Sequence, residues 1–304
     1  MQKNGLVAVV KRDCPTCVMV APVLQQLLKQ ADLTVYSQDD PAFPDGMDGV
    51  TDDTALDISY DLEIEIVPTL VRFEAGQEVE RTYGWDRAAW ESLTGASDLG
   101  ADLPAFKPGC GALNQEQDRL AELRIRHGDT PMVSRLIPLG AREDAIEACY
   151  ERGWSDGLPV VPPTQERVLA MLEGTTRAAD EVLGPMPSNL DTCTVEKVAI
   201  NAVMAGCRPE YMPVVLAAIE AVLEEDYCLH GTLATTRFVG PVVIVNGPIA
   251  QQIGMNGKGN ALGQGNRANA TIGRAVQLAV RNIGGGKPQG VDRATLGNPG
   301  KLTY

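Results

Sequence analysis

The tightest constraint on the fold lies in the first thirty residues. Residues 6–10, Leu-Val-Ala-Val-Val, form a continuous apolar run. Such a run is too short for a buried helix and suits a buried strand. It ends at Lys11-Arg12-Asp13 and passes at once into Cys14-Pro15-Thr16-Cys17. Beyond Cys17, the residues Val20, Ala21, Leu24, Leu27, Leu28 and Ala31 recur on one face at the 3.6-residue period of a helix. Pro22 lies inside that helix and is expected to kink it. A buried strand running straight into a helix is the opening unit of an α/β domain.

The pattern continues in kind. Residues 33–36 read as a second strand, and the acidic, turn-rich stretch 38–48 as a surface loop. Residues 51–60 are predicted to be helical with Thr51 as N-cap. A strand over 64–73, interrupted by Pro68, turns at 74–77 into another over 78–83, and a last helix covers 86–93. The order is β-α-β-α-β-β-α, with Cys-x-x-Cys at the first strand-to-helix junction.

This resembles the thioredoxin fold over about residues 4–94. The stretch from Cys14 to Leu24 is similar to that family's active-site helix, including the proline at 22, and Ile66-Val67-Pro68-Thr69 is similar to its cis-proline turn. The resemblance implies a redox-active dithiol with Cys14, Cys17 and Pro68 as catalytic residues and no cofactor for the dithiol. It also implies that the proline turn faces the two cysteines. Two positions depart from the family pattern. Asp13 stands where Trp is usual, and Ala8 where the first strand usually carries a buried acid. The first affects thiolate formation, together with Lys11 and Arg12, and the second affects proton handling.

The same chemistry follows from the residues themselves. Cysteine reacts as thiolate, and a thiol at a helix N-terminus sees unpaired N–H groups and the positive end of the dipole. Cys14 is therefore the expected nucleophile. Cys17, one turn in on the buried face, is placed to resolve a mixed disulfide. A cis Val67-Pro68 bond would leave the backbone of Val67 free to pair with an extended substrate.

Residues 95–111 are rich in Gly, Ser, Pro and Asp and lack a period, which reads as a linker. The expected organisation is a domain over 1–95, a linker over 96–112, and a larger α/β domain over 113–304 that begins with a helical arm, 113–152. Charge supports a division. Residues 1–109 carry a net charge of -11 and the remainder -3. The length of 304 residues suits about two domains. Cys110 lies on the linker, where a mobile thiol could exchange with the dithiol or be incidental.

The second half is less legible. Residues 153–164, Gly-Trp-Ser-Asp-Gly-Leu-Pro-Val-Val-Pro-Pro-Thr, are held by three prolines and two glycines. They form either a site lined by Trp154 and Asp156 or a strut at the domain edge. Helices are predicted over 165–172, 194–205 and 212–225, and a buried strand over 238–246. Glycines at 254, 257, 259, 263 and 265 precede a helix whose apolar face carries Ile272, Ala275, Val276, Ala279 and Ile283. A glycine-rich loop opening a helix suits an anion, so Gly257, Lys258, Gly259, Asn260 and Arg267 are candidates to hold a carboxylate or phosphate. The alternative is a turn region shaped by Asn and Gly with no ligand. Cys228 and His230 are a Cys-x-His pair open to metal binding or thiol–imidazole chemistry, although no spacing indicates a metal. The 153–164 run and the Gly-Asn-Ala-Leu-Gly segment resemble uncharacterised bacterial proteins without an assigned activity.

The net charge of -14 argues against nucleic acid and anionic membranes as partners. No window approaches about 18 apolar residues, and the start lacks a signal-peptide core, so a cytoplasmic location is expected. The expected function is thiol–disulfide oxidoreduction on a small-molecule or protein substrate, coupled to a site in the second domain. A lyase or hydrolase seated in that domain and a soft-metal-binding protein are the alternatives, and a homo-oligomer is left open.

Overall fold

The computed structural model describes residues 4–303. The chain is mixed α/β and divides into two compact units, 1–128 and 129–304. Among the described residues no helix is long and apolar enough to cross a membrane.

The first unit is built on a mixed five-stranded sheet. Its elements are β1 (Gly5–Val10), α1 (Pro15–Leu28), β2 (Leu33–Ser37), β3 (Thr51–Asp52), α2 (Asp57–Asp61), β4 (Ile66–Val67), β5 (Thr69–Glu74), β6 (Gln77–Tyr83), β7 (Trp85–Asp86), α3 (Arg87–Thr94), β8 (Phe106–Lys107), β9 (Cys110–Gly111) and α4 (Gln117–Arg126). The sheet order is β3-β2-β1-β5-β6. β1 runs parallel to β2 and antiparallel to β5. Its central place explains the unbroken apolar run, since residues 6–10 are all buried. Against the sheet, α1 buries Cys17, Val20, Val23, Leu24 and Leu27. Each large aliphatic side chain so buried contributes roughly 1.5–3 kcal/mol. The helix continues through Pro22 from Pro15 to Leu28. The missing proline N–H leaves the carbonyl of Val18 without its usual partner, on the half-exposed side of the helix.

Three expectations need correction here. Residues 51–60 are not one helix. Thr51 and Asp52 extend the sheet beside β2, and α2 starts only at Asp57. The Asp53 carboxylate takes the capping role, accepting from the N–H groups of Ile58 and Ser59 at 2.9 Å. Residues 96–112 are not a linker. β8 pairs with β7, and β9 pairs with β4. The segment 113–128 is likewise part of the first unit rather than an arm of the second. Buried Asn114 secures it, donating to the carbonyl of Ile64 at 2.8 Å and accepting from Gln38 at 3.1 Å.

The second unit contains α5 (Ala145–Glu151), α6 (Gln165–Leu172), β10 (Val182–Met186), β11 (Asp191–Thr194), α7 (Val195–Ala205), α8 (Met212–Leu223), α9 (Leu229–Ala234), α10 (Pro248–Gln252) and α11 (Arg267–Asn282). Helices dominate it, and β10 and β11 form an antiparallel ribbon. The core forms where α7 packs between α6 and α11, with α8 against α7 and α11. The strand expected over 238–246 is absent. That stretch has no regular structure, and Val242 and Ile244 are 54% and 79% exposed, so no neighbouring strand covers them.

Candidate active site at the start of α1

Cys14 is the N-cap of α1, in extended backbone conformation, and its sulfur accepts the N–H of Cys17 at 3.3 Å. Pro15 occupies the first helical position, where the lost N–H costs nothing. The Cys14 thiol also reaches the carbonyl of Val67 at 3.5 Å, and the Val67-Pro68 bond is cis. Cys14, Cys17 and Pro68 are therefore brought together. Cys17 is fully buried and Cys14 is 1% exposed.

The surroundings favour a thiolate at Cys14 and a thiol at Cys17. Hydrogen bonds from the Cys17 thiol, from the Cys110 thiol and from the N–H groups of Cys17 and Thr16 outweigh burial and bring Cys14 down to about 5. Burial, and then the neighbouring Cys14, push Cys17 well up. Arg12 and Lys11 beside the motif are engaged by other groups, and the Lys11 charge also bears on Cys110. Arg12 is drawn to Asp40 at 2.6 Å and to Asp45 at 2.5 Å, and Lys11 donates to the carbonyl of Gly111 at 2.9 Å. The N–H of Asp13 is held by Asp39 at 2.8 Å.

The backbone of Val67, expected to be free for an extended substrate, is already paired. Its partner in the β4–β9 ladder is Cys110. Residues 106–111 cross the site as a strap. Thr16 donates its hydroxyl to the carbonyl of Pro108 at 2.6 Å, and Ala112 donates its N–H to the carbonyl of Glu65 at 3.0 Å. Sequence reasoning assigned Cys110 to a linker. The signal that could have found it is the Gly-Cys-Gly triplet, because the first of these glycines is needed for close backbone approach. A Cβ at Gly109 would lie 2.6 Å from the carbonyl oxygen of Val67.

The candidates in the second unit are differently placed. The glycine-rich loop is closed upon itself by its asparagines. Asn256 accepts from the N–H of Lys258 and donates to the carbonyl of Gly259, and Asn260 donates to the carbonyl of Gln264. The Nε–H of Arg267 donates to the carbonyl of Gly206 at 2.9 Å. The N-terminus of α11 is capped by Asn266. Gly257, Lys258, Gly259, Asn260 and Arg267 thus lie in a turn region shaped by Asn, in which Asn256 occupies the N–H of Lys258.

Asp156 is held by Arg274 in a two-pronged pair at 2.8 Å, with side chains 10% and 14% exposed. Burial opposes its charge, and the guanidinium more than offsets this, so the carboxyl lies below the usual range. Ser155, Asp156, Arg281 and Lys287 line one open cleft of about 550 Å³. Trp154 lies under the guanidinium of Arg152, 5.9 Å from the ring. Cys228 is exposed, and His230 shares a 2.9 Å hydrogen bond with Ser188. Among the described residues no three His, Cys, Asp or Glu side chains converge on a metal position. Burial raises the thiols of Cys193 and Cys207 to about 11, which disfavours them as nucleophiles.

Comparison with protein families, with characterised proteins and with solved structures finds no match to this chain.

Proposed function

We propose that the first unit is a thioredoxin-like thiol–disulfide oxidoreductase whose working couple is Cys14–Cys17. The observation that carries this reading is the Cys14 sulfur at the head of α1, hydrogen-bonded by Cys17 and set against the Val67-Pro68 turn. Cys14 as thiolate attacks one sulfur of a substrate disulfide, forming a mixed disulfide and releasing the first substrate thiolate. Cys17 then gives its proton to the released thiolate and attacks the Cys14 sulfur. The second substrate thiolate leaves, and the Cys14–Cys17 bond closes. The substrate disulfide gains two electrons and the dithiol loses two. Cys14 meets the first requirement because it is held as the better nucleophile. Cys17 meets the second because its protonation keeps it from competing until a mixed disulfide has formed.

The test is reduction of an aryl disulfide with a coloured thiol product by the full chain. Cys14→Ser should abolish turnover, and Cys17→Ser should allow one equivalent of thiol release and then stall. Full turnover by Cys14→Ser would overturn the proposal.

A further inference from the structure

The strap places a third sulfur at this site. Cys110 stands opposite Val67 in the β4–β9 ladder, and Val67 is also the residue whose carbonyl the Cys14 thiol reaches. Each bears on the other's proton: Cys110 favours the thiolate of Cys14, and Cys14, after burial, raises the thiol of Cys110. Extended ligands that add a strand to an exposed edge gain main-chain hydrogen bonds and present alternate side chains to pockets. Here the chain's own residues 110–111 pair with that edge, and the residue set opposite Val67 is a cysteine. The strap is also fitted closely. A Cβ on Gly109 would collide with Ile66 Cγ2, and one on Gly84 would sit 2.7 Å from the Gly109 nitrogen. Cys14 is almost without exposure, and Cys110 is the cysteine set across the ladder from the residue that the Cys14 thiol reaches.

We propose that Cys110 is a third redox residue of this site, exchanging with the Cys14–Cys17 disulfide to form Cys14–Cys110, so that the strap serves as the chain's own substrate. The proposal rests on the reading of Cys14–Cys17 as a redox couple. In the exchange, the Cys110 thiolate attacks the Cys14 sulfur, the Cys14–Cys110 bond forms and the Cys14–Cys17 bond breaks. Cys17 leaves as thiolate and takes up the proton that Cys110 gave up, with no net change in oxidation state. Attachment to the same chain keeps the attacking thiol at high effective concentration.

The experiment uses full-length protein oxidised by glutathione disulfide, with the bonds mapped by mass spectrometry of unreduced peptides. In Cys17→Ser, Cys14 first forms a glutathione adduct, and attack by Cys110 then releases glutathione. The expected product is an intramolecular Cys14–Cys110 bond in most molecules. An adduct that persists at Cys14 while Cys110 remains open to alkylation would overturn the proposal. The wild-type chain separates the two readings. Failure to form either Cys14 bond there removes the couple itself, whereas Cys14–Cys17 without Cys14–Cys110 in Cys17→Ser removes only the third residue. Should Cys17→Ser not fold, Gly109→Ala supplies the second arm. Both bonds are expected in the wild type at graded glutathione ratios, and Gly109→Ala should lower Cys14–Cys110 at least tenfold while leaving Cys14–Cys17. Equal yields of Cys14–Cys110 in the two proteins would show that a seated strap is not what forms it, and would also overturn the proposal.

Discussion

At Cys14, several donors converge on a sulfur that has little contact with water. The largest stabilising contribution to its thiolate is the Cys17 thiol, so the two cysteines divide one proton unequally. Two outcomes follow. The relative rate of Cys14 alkylation, followed against pH, should rise to half its maximum near pH 5, well below the value of about 8.5 for an unperturbed thiol. In Cys17→Ala the donor is lost and the midpoint should move upward, which mass spectrometry of the labelled peptide would resolve. An unmoved midpoint would assign the thiolate to the Cys110 thiol and the backbone N–H groups. The placement of Cys14 and Cys17 at the head of α1 was legible from Cys-x-x-Cys and the helical period behind it. Their thiolate balance was not, because Lys11 and Arg12 look decisive in sequence, yet Lys11 donates to Gly111 and Arg12 pairs with the acidic loop.

Among the elements, those with an unbroken period could be read and those made by distant pairing could not. α7 and α11 show their apolar faces in sequence and bury them in the core. β8 and β9 are two residues long and exist only because β7 and β4 lie beside them, so nothing within 96–112 announces a strand. The strand expected over 238–246 failed for the opposite reason, since an apolar run needs a partner and none lies alongside. The 153–164 stretch behaves as a strut. Asp156 and Arg274 join it to α11, and Asn282 donates to the carbonyl of Trp154 at 3.0 Å. Removing one partner of such a covered ion pair strands the other. Asp156→Ala should therefore cost roughly 3 kcal/mol in urea unfolding. Asp156→Asn, which retains hydrogen-bonding atoms, should cost less. Equal, negligible costs would return Asp156 to the list of residues free to bind a ligand.

Across the whole chain the division falls later than the composition suggests. The glycine- and proline-rich stretch at 95–111 looks like a hinge, yet its residues complete the first unit, and Asn114 fills a polar gap beside Gln38 and Ser59. A chain ending at residue 128 should thus unfold cooperatively on heating, as followed by circular dichroism. One ending at residue 95 should lack that transition, having lost β8, β9 and the Asn114 network. A cooperative melt from the shorter chain would make the strap an accessory. Trp85 and Trp90 stand edge to face with ring centroids 5.2 Å apart, and the Trp85 indole N–H is anchored on the carbonyl of Pro104 at the root of the strap. Were residues 106–111 to lift, water reaching that indole pair would shift its emission to the red, so the two tryptophans would give an intrinsic optical gauge of whether the Cys14 sulfur is sheathed or bare.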